Sequence, residues 1–172
     1  MNDLPHAGQP SPTFVRLASL VPDGGDVLDV AAGSGRHARF FADRGHRVVA
    51  VDRDHEALQL AAHPLVETVV ADLEAGPWPF IGSFAAVVVS NYLWRPLLPT
   101  LVASVAPGGV LLYETFAVGH ERFGRPRNPD FLLRAGELLE AVRGQLEVRE
   151  YRHGEVGTPP NAVRQHLAAV RT

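Results

Sequence analysis

The run Val27-Leu28-Asp29-Val30-Ala31-Ala32-Gly33-Ser34-Gly35-Arg36-His37-Ala38 limits the possible folds more than any other part of this chain. Asp26 to Val30 reads as a short strand, Gly33-Ser34-Gly35 as a turn, and the residues from there to Arg44 as a helix with Ala38, Phe41 and Ala42 on one face. Glycines at such a turn let the backbone reverse without Cβ clashes and approach a ligand closely. The helix start then presents unpaired N–H groups. A tight strand-to-helix turn with no ligand is the competing reading of these residues alone.

The same rhythm continues. Gly45 is placed to end the helix, and Arg47 to Val51 forms a second strand. Asp54 can cap a further helix, with Leu58, Ala61 and Ala62 facing inward. Glu67 to Ala71 and Phe84 to Val89 read as strands three and four, separated by a loop over 73–83. A helix after Pro96 carries Leu97, Leu98, Leu101, Val102 and Val105, Pro107-Gly108-Gly109 ends it, and Val110 to Phe116 is a fifth strand. Strands alternating with helices predict an α/β fold: a mostly parallel sheet between two helical layers. After a helix near Glu137 to Arg143, Leu146 to His153 and Ala162 to Val170 predict an antiparallel hairpin at the sheet edge, open to a second copy of the chain. The length of 172 residues fits one domain, with the polar residues 1–12 as a flexible extension.

Composition excludes several chemistries. There is no cysteine, so disulfides, thiolate nucleophiles and zinc–cysteine sites are impossible, and no metal site is expected. All 16 basic residues are arginine, which removes Schiff-base chemistry and the lysine of a phosphate-binding P-loop. The net charge of -3 comes without a run of like charges, so neither a nucleic-acid arm nor a membrane patch is expected. With no signal peptide and no long apolar stretch, a soluble cytoplasmic monomer or homodimer is the expectation.

Two more carboxylates give the glycine turn a meaning. Asp52 ends the second strand, 19 residues after Gly33, where it can accept hydrogen bonds from both hydroxyls of an adenosine ribose. Asp72 follows the third strand and can accept the adenine amino group, with the Leu73 backbone nearby. The carboxyl ends of parallel strands share one edge, so the joint pattern points to an adenosine ligand. Gly33 to Ala38 also fits a dinucleotide-binding pattern, so NAD has to be weighed. Asp29 opposes it, because a carboxylate at the mouth of strand one suits a cationic ligand better than a pyrophosphate. Hydrogen bonding of Asp29 to loop N–H groups is the alternative.

These segments, in this order, resemble the motifs of class I S-adenosylmethionine-dependent methyltransferases. Val27 to His37 looks like the glycine motif, Val48 to Asp52 like the acidic second motif, Ala71-Asp72-Leu73 like the adenine motif, and Ala106 to Leu111 like the turn into strand five. Arg36 and His37 also resemble the small subgroup related to tellurite-resistance methyltransferases. The resemblance implies a Rossmann-like seven-stranded sheet and S-adenosylmethionine as cofactor, lined by Asp29, Ala31, Gly33, Gly35, Arg36, His37, Asp52, Arg53, Asp72, Leu73, Ser90 and Asn91. It places Ser90 to Pro96 beside the sulfonium.

For the acceptor the residues offer candidates only. Glu114, His120 and Glu121 can act as a base if the acceptor arrives protonated, and the Tyr92 hydroxyl can orient it. Arg95, with Arg122, Arg125, Arg127 and Asn128 of the long loop 117–130, can bind an anionic small-molecule acceptor. An NAD-binding oxidoreductase and a non-catalytic S-adenosylmethionine-binding module remain the alternatives.

Overall fold

The structure, a computed structural model, describes residues 8–172. Its centre is a seven-stranded sheet: β1 (Val27–Val30), β2 (Val48–Asp52), β3 (Val66–Val70), β4 (Phe84–Ser90), β5 (Val105–Phe116), β6 (Glu147–Val156) and β7 (Ala162–Val170). The strand order is β3-β2-β1-β4-β5-β7-β6. The first five strands pair in parallel, and β7 pairs antiparallel with both β5 and β6. The expected edge hairpin is present, with β6 outermost.

Alternation along each strand splits the apolar residues between two cores. Val27, Ala86, Val88, Val110 and Leu112 face α1 (Pro12–Leu17), α2 (Arg36–Ala42) and α3 (His55–Leu58), which contribute Phe14, Phe41 and Leu58. Leu28, Val87, Val89, Leu111 and Tyr113 face α4 (Leu98–Ala103) and α5 (Glu137–Val142), which contribute Leu101, Val102, Leu138 and Val142. Central strands covered on both faces are apolar along their buried length, as β4 is from Phe84 to Val89. Each fully buried Leu or Val contributes roughly 1.5–3 kcal/mol.

Three local expectations change. Val105 starts β5 and does not extend the preceding helix, and Pro107-Gly108-Gly109 is a bulge within β5, between the Phe84–Val105 and Ala86–Val110 pairs. A Cβ on Gly109 would lie within 3 Å of the carbonyls of Phe84, Ala85 and Ala106, so this crossing requires glycine. Ala62 is exposed, because the helix tightens into a 3-10 turn that ends at Ala61. Of the expected flexible extension, residues 1–7 lie outside the described residues. Ser11 is buried and caps α1, accepting from the Thr13 N–H at 3.2 Å. Among the described residues no helix is long and apolar enough to cross a membrane.

Candidate active site

At the carboxyl edge of the parallel strands lies a cavity of about 550 Å³. It is lined just after β1 by Ala31, at and after the end of β2 by Asp52 and Arg53, from the loop after β3 by Asp72, Leu73 and Glu74, and from the loop after β4 by Asn91, Tyr92 and Leu93. Seven residues expected at the cofactor or acceptor from sequence thus meet in one hollow: Ala31, Asp52, Arg53, Asp72, Leu73, Asn91 and Tyr92. Thr115, Phe116, Pro126 and Phe131 close its far side.

The backbone at the cavity floor is bent hard. Ala31 (φ 52°) and Asn91 (φ 54°) are the non-glycine residues with positive φ among the described residues, and both line the cavity. An L-residue in this region costs about 1–3 kcal/mol, a strain that concentrates at ligand sites. Asp52 braces the floor: Oδ2 accepts the Gly33 N–H at 2.8 Å and Oδ1 the Asp54 N–H at 2.9 Å. Gly33 (φ +54°) faces open space, whereas a Cβ on Gly35 (φ +72°) would lie 2.2 Å from the Ala61 Cβ. The two glycines therefore differ: one opens the turn, the other lets α2 approach the turn after α3. Asp72 caps its own loop, with Oδ1 accepting from the N–H groups of Glu74 and Ala75 at 2.9 and 3.1 Å.

The hydroxyl of Tyr92 is buried and has no hydrogen-bond partner among the described residues. Burial pushes its pKa up, and the carboxylates of Glu74 and Asp72 push it further. Its backbone carbonyl is held by the buried Tyr113 hydroxyl at 2.8 Å. An orphaned phenol beside Asp52, Asp72 and Glu74, with Arg53 as the one cationic side chain on the lining, fits a ligand that is rich in hydroxyl and amino groups and positively charged. The donor set therefore fits S-adenosylmethionine and disfavours a pyrophosphate.

Other expected cofactor residues sit behind the lining. Asp29 is buried, and its Oδ2 accepts the Ala38 N–H at 2.9 Å, tying β1 to the first turn of α2. Burial pushes its pKa up to about 7. His37 is buried against Phe14, and its Nε2 accepts the Ser11 N–H at 3.0 Å. Burial, with the charge of Arg36, lowers its pKa to about 3. Arg36 donates to the Ser90 hydroxyl at 3.1 Å, behind the Asn91 corner.

The acceptor candidates are distributed differently from expectation. Strand alternation sends Thr115 to the cavity and Glu114 to the α1 face, where its carboxylate is 3.5 Å from Arg164. His120 is buried against Phe116: its Nε2 donates to the Arg125 carbonyl at 2.9 Å and its Nδ1 accepts from the Val163 N–H at 3.4 Å. Arg95 braces the loop through Glu137 at 2.6 Å and through the carbonyls of Asp130 and Leu132, both at 2.9 Å. Asn128 caps a 3-10 turn, and Arg125 and Arg127 are exposed outside the lining. Glu121 is exposed, and Arg122 pairs with Glu155. Sequence reasoning missed Glu74, Thr115, Phe116, Pro126 and Phe131, whereas Leu93 falls in the Ser90 to Pro96 segment it placed at the site. The shared strand edge pointed to the residues after β3 and β5, but no local signal marked Pro126 or Phe131.

Known proteins resemble this chain in sequence and in fold. A family model described as a methyltransferase domain matches residues 27–109. A malonyl-[acyl-carrier protein] O-methyltransferase of Serratia marcescens is 29% identical over 160 residues, covering 86% of this chain and 54% of that protein. A demethylmenaquinone methyltransferase of Renibacterium salmoninarum is 33% identical over 130 residues, covering 70% of this chain and 53% of that protein. The chain thus spans about half the length of these relatives. Among solved structures, TehB from Haemophilus influenzae shares the fold with a TM-score of 0.75 at 18% identity, over 95% of this chain and 63% of that one. In the order of its motifs, in the matching family model and in its fold, the chain is similar to S-adenosylmethionine-dependent methyltransferases.

Proposed function

We propose that this chain binds S-adenosylmethionine in the cavity at the carboxyl edge and transfers its methyl group to a small molecule in the cytoplasm, as a monomer or homodimer. The observation that carries the reading is the acidic lining of Asp52, Asp72 and Glu74 around the orphaned Tyr92 hydroxyl, on a floor strained at Ala31 and Asn91. When bound, the cofactor supplies a methyl carbon already activated by its sulfonium. Held by Asp52, Asp72 and the Asn91–Tyr92 corner, it would give that methyl to the acceptor's lone pair and keep the carbon–sulfur electron pair on its sulfur, and the proton of a protonated acceptor would pass to solvent.

The protein's part is to bind, align and exclude water. Asp52 receives the ribose hydroxyls, Asp72 and the Leu73 backbone hold the adenine, and the Asn91–Tyr92 corner fixes the reacting end. Such alignment can supply on the order of 7–11 kcal/mol of barrier reduction at best. Glu114 and His120 are already engaged, with Arg164 and with two backbone groups, so alignment carries more of this reading than base catalysis. Calorimetry with S-adenosylmethionine, S-adenosylhomocysteine and NAD tests it. Tight adenosylhomocysteine binding without NAD binding supports the reading, and the reverse makes the chain a dinucleotide-binding protein.

A further inference from the structure

A second hollow, of about 650 Å³, lies between α1 and the β6–β7 hairpin. Arg16, Arg152, His153, Arg164 and His166 are among its lining residues, and Glu155 is the carboxylate among them. Glu155 is engaged by Arg122 at 2.5 Å. Glu150, next to the hollow, accepts from both guanidinium nitrogens of Arg16 and lies 2.7 Å from the His166 Nε2. Arg152 has no carboxylate partner among the described residues.

Arg164 links this hollow to the cofactor cavity. Its Nη2 donates to Asn91 Oδ1 at 2.6 Å, and Asn91 lines that cavity. Its guanidinium lies 4.4 Å from the centre of the Phe116 ring, which also lines it. Burial lowers the Arg164 pKa, Glu114 partly restores it, and the Arg36 charge lowers it again. So Arg36 and Arg164 meet the carboxyl end of β4 at Ser90 and Asn91, Arg16 and Arg152 line the hollow beside Arg164, and Glu114 and Glu150 are the neighbouring carboxylates. An excess of guanidinium charge, with Arg36 and Arg164 partly buried and Arg16 and Arg152 exposed, is stabilised by an oxyanion that accepts paired N–H bonds.

We infer that this hollow seats the methyl acceptor and that the acceptor carries an oxyanion group, a carboxylate or a phosphate, held by Arg152 and Arg164. This rests on the reading that the first cavity holds the cofactor. Arg164 and Asn91 then set the acceptor against the reacting end, and the exposed loop residues Arg125 and Arg127 take no part.

The test uses the full chain, with benzoate and phenyl phosphate as probes, followed by NMR with and without S-adenosylhomocysteine. The expected result is a shift of the Arg152 and Arg164 Nε–H signals by at least one probe, with Overhauser contacts between its ring protons and bound adenosylhomocysteine. The probe that binds tells carboxylate from phosphate. In Arg152→Glu, an exposed position, probe affinity falls at least tenfold while adenosylhomocysteine affinity stays within twofold. Shifts confined to Arg125 and Arg127, no binding of either probe, or binding without interligand contacts overturns the inference. If adenosylhomocysteine itself fails to bind, the cofactor reading fails first, and the acceptor role falls with it even where the anions bind.

Discussion

The carboxylate of Asp52 accepts the N–H of Gly33 at 2.8 Å, so the last residue of β2 holds the glycine turn that follows β1. One side chain thus braces the fold at the position where the proposed function puts the ribose. Its Oδ1 also receives the Asp54 N–H, so each oxygen has a remaining lone pair for a ribose hydroxyl.

Replacing Asp52 with Ala removes both functions. Each charged hydrogen bond is worth roughly 1.5–3 kcal/mol. Adenosylhomocysteine affinity should therefore fall by at least tenfold in calorimetry, and the thermal midpoint should drop as well. An unchanged affinity would falsify the ribose assignment.

The two glycines of the turn should separate cleanly on substitution by Ala. At Gly33 the new Cβ meets nothing, so only the left-handed backbone is penalised, by about 1–2 kcal/mol. At Gly35 the same penalty is joined by contact with Ala61 at 2.2 Å, and the loss should reach about 3 kcal/mol or more. Denaturant titration of both variants checks this. Equal losses would mean that α2 does not pack on Ala61 as described.

Asp29 and His37 predict opposing pH dependences. The folded pKa of Asp29, about 7, lies above its ordinary value of 3.8. The folded protein then holds a proton that the unfolded chain has lost, and stability falls as pH rises from about 4 to 7. The folded pKa of His37, about 3, lies below 6.5, so its contribution is lost as pH falls through that window. Asp29→Asn keeps an acceptor for the Ala38 N–H and removes the first slope. It should stabilise the protein at pH 8, by up to about 4 kcal/mol, and change little at pH 4. Urea midpoints at the two pH values measure it, and a variant less stable at pH 8 than the parent contradicts the burial argument.

Tyr92→Phe should move stability and binding in opposite directions. Deleting a buried hydroxyl without a partner relieves about 1–3 kcal/mol of desolvation, so the ligand-free thermal midpoint should rise. If that hydroxyl bonds the cofactor, adenosylhomocysteine affinity should fall about tenfold. A higher midpoint with unchanged affinity would return Tyr92 to the acceptor side.

The parallel half of the molecule was readable because its signals are local. The glycine turn, Asp52 and Asp72 each follow a short apolar run, and parallel pairing brings such positions to one edge without further information. Glu114 shows where this fails. Its place at the end of β5 was legible, but the face it takes depends on a register fixed by the bulge at Pro107 to Gly109 and by pairing with β7. His120 and Arg95 read as functional because they sit in or near a polar loop. Only the packed structure shows that their nitrogens are spent on holding that loop in place. The cluster around Arg164 is beyond sequence reading for the same reason, since its members come from four separate elements. By contrast α1 was available, because Ser11-Pro12 is a cap followed by proline at the first helical position.

The order of the strands also bears on how the chain is made. A ribosome delivers β5, then β6, then β7, yet β7 is the strand that lies between the other two. While β6 emerges it has no neighbour to pair with, and the Val110–Phe116 flank of β5 stands as an unpaired edge. The nascent protein is therefore open to wrong pairing, with a chaperone or another copy, until the last of its seven strands arrives. Substitutions in Ala162–Val170 should then lower the yield of folded protein during synthesis more than they lower the stability of molecules already folded.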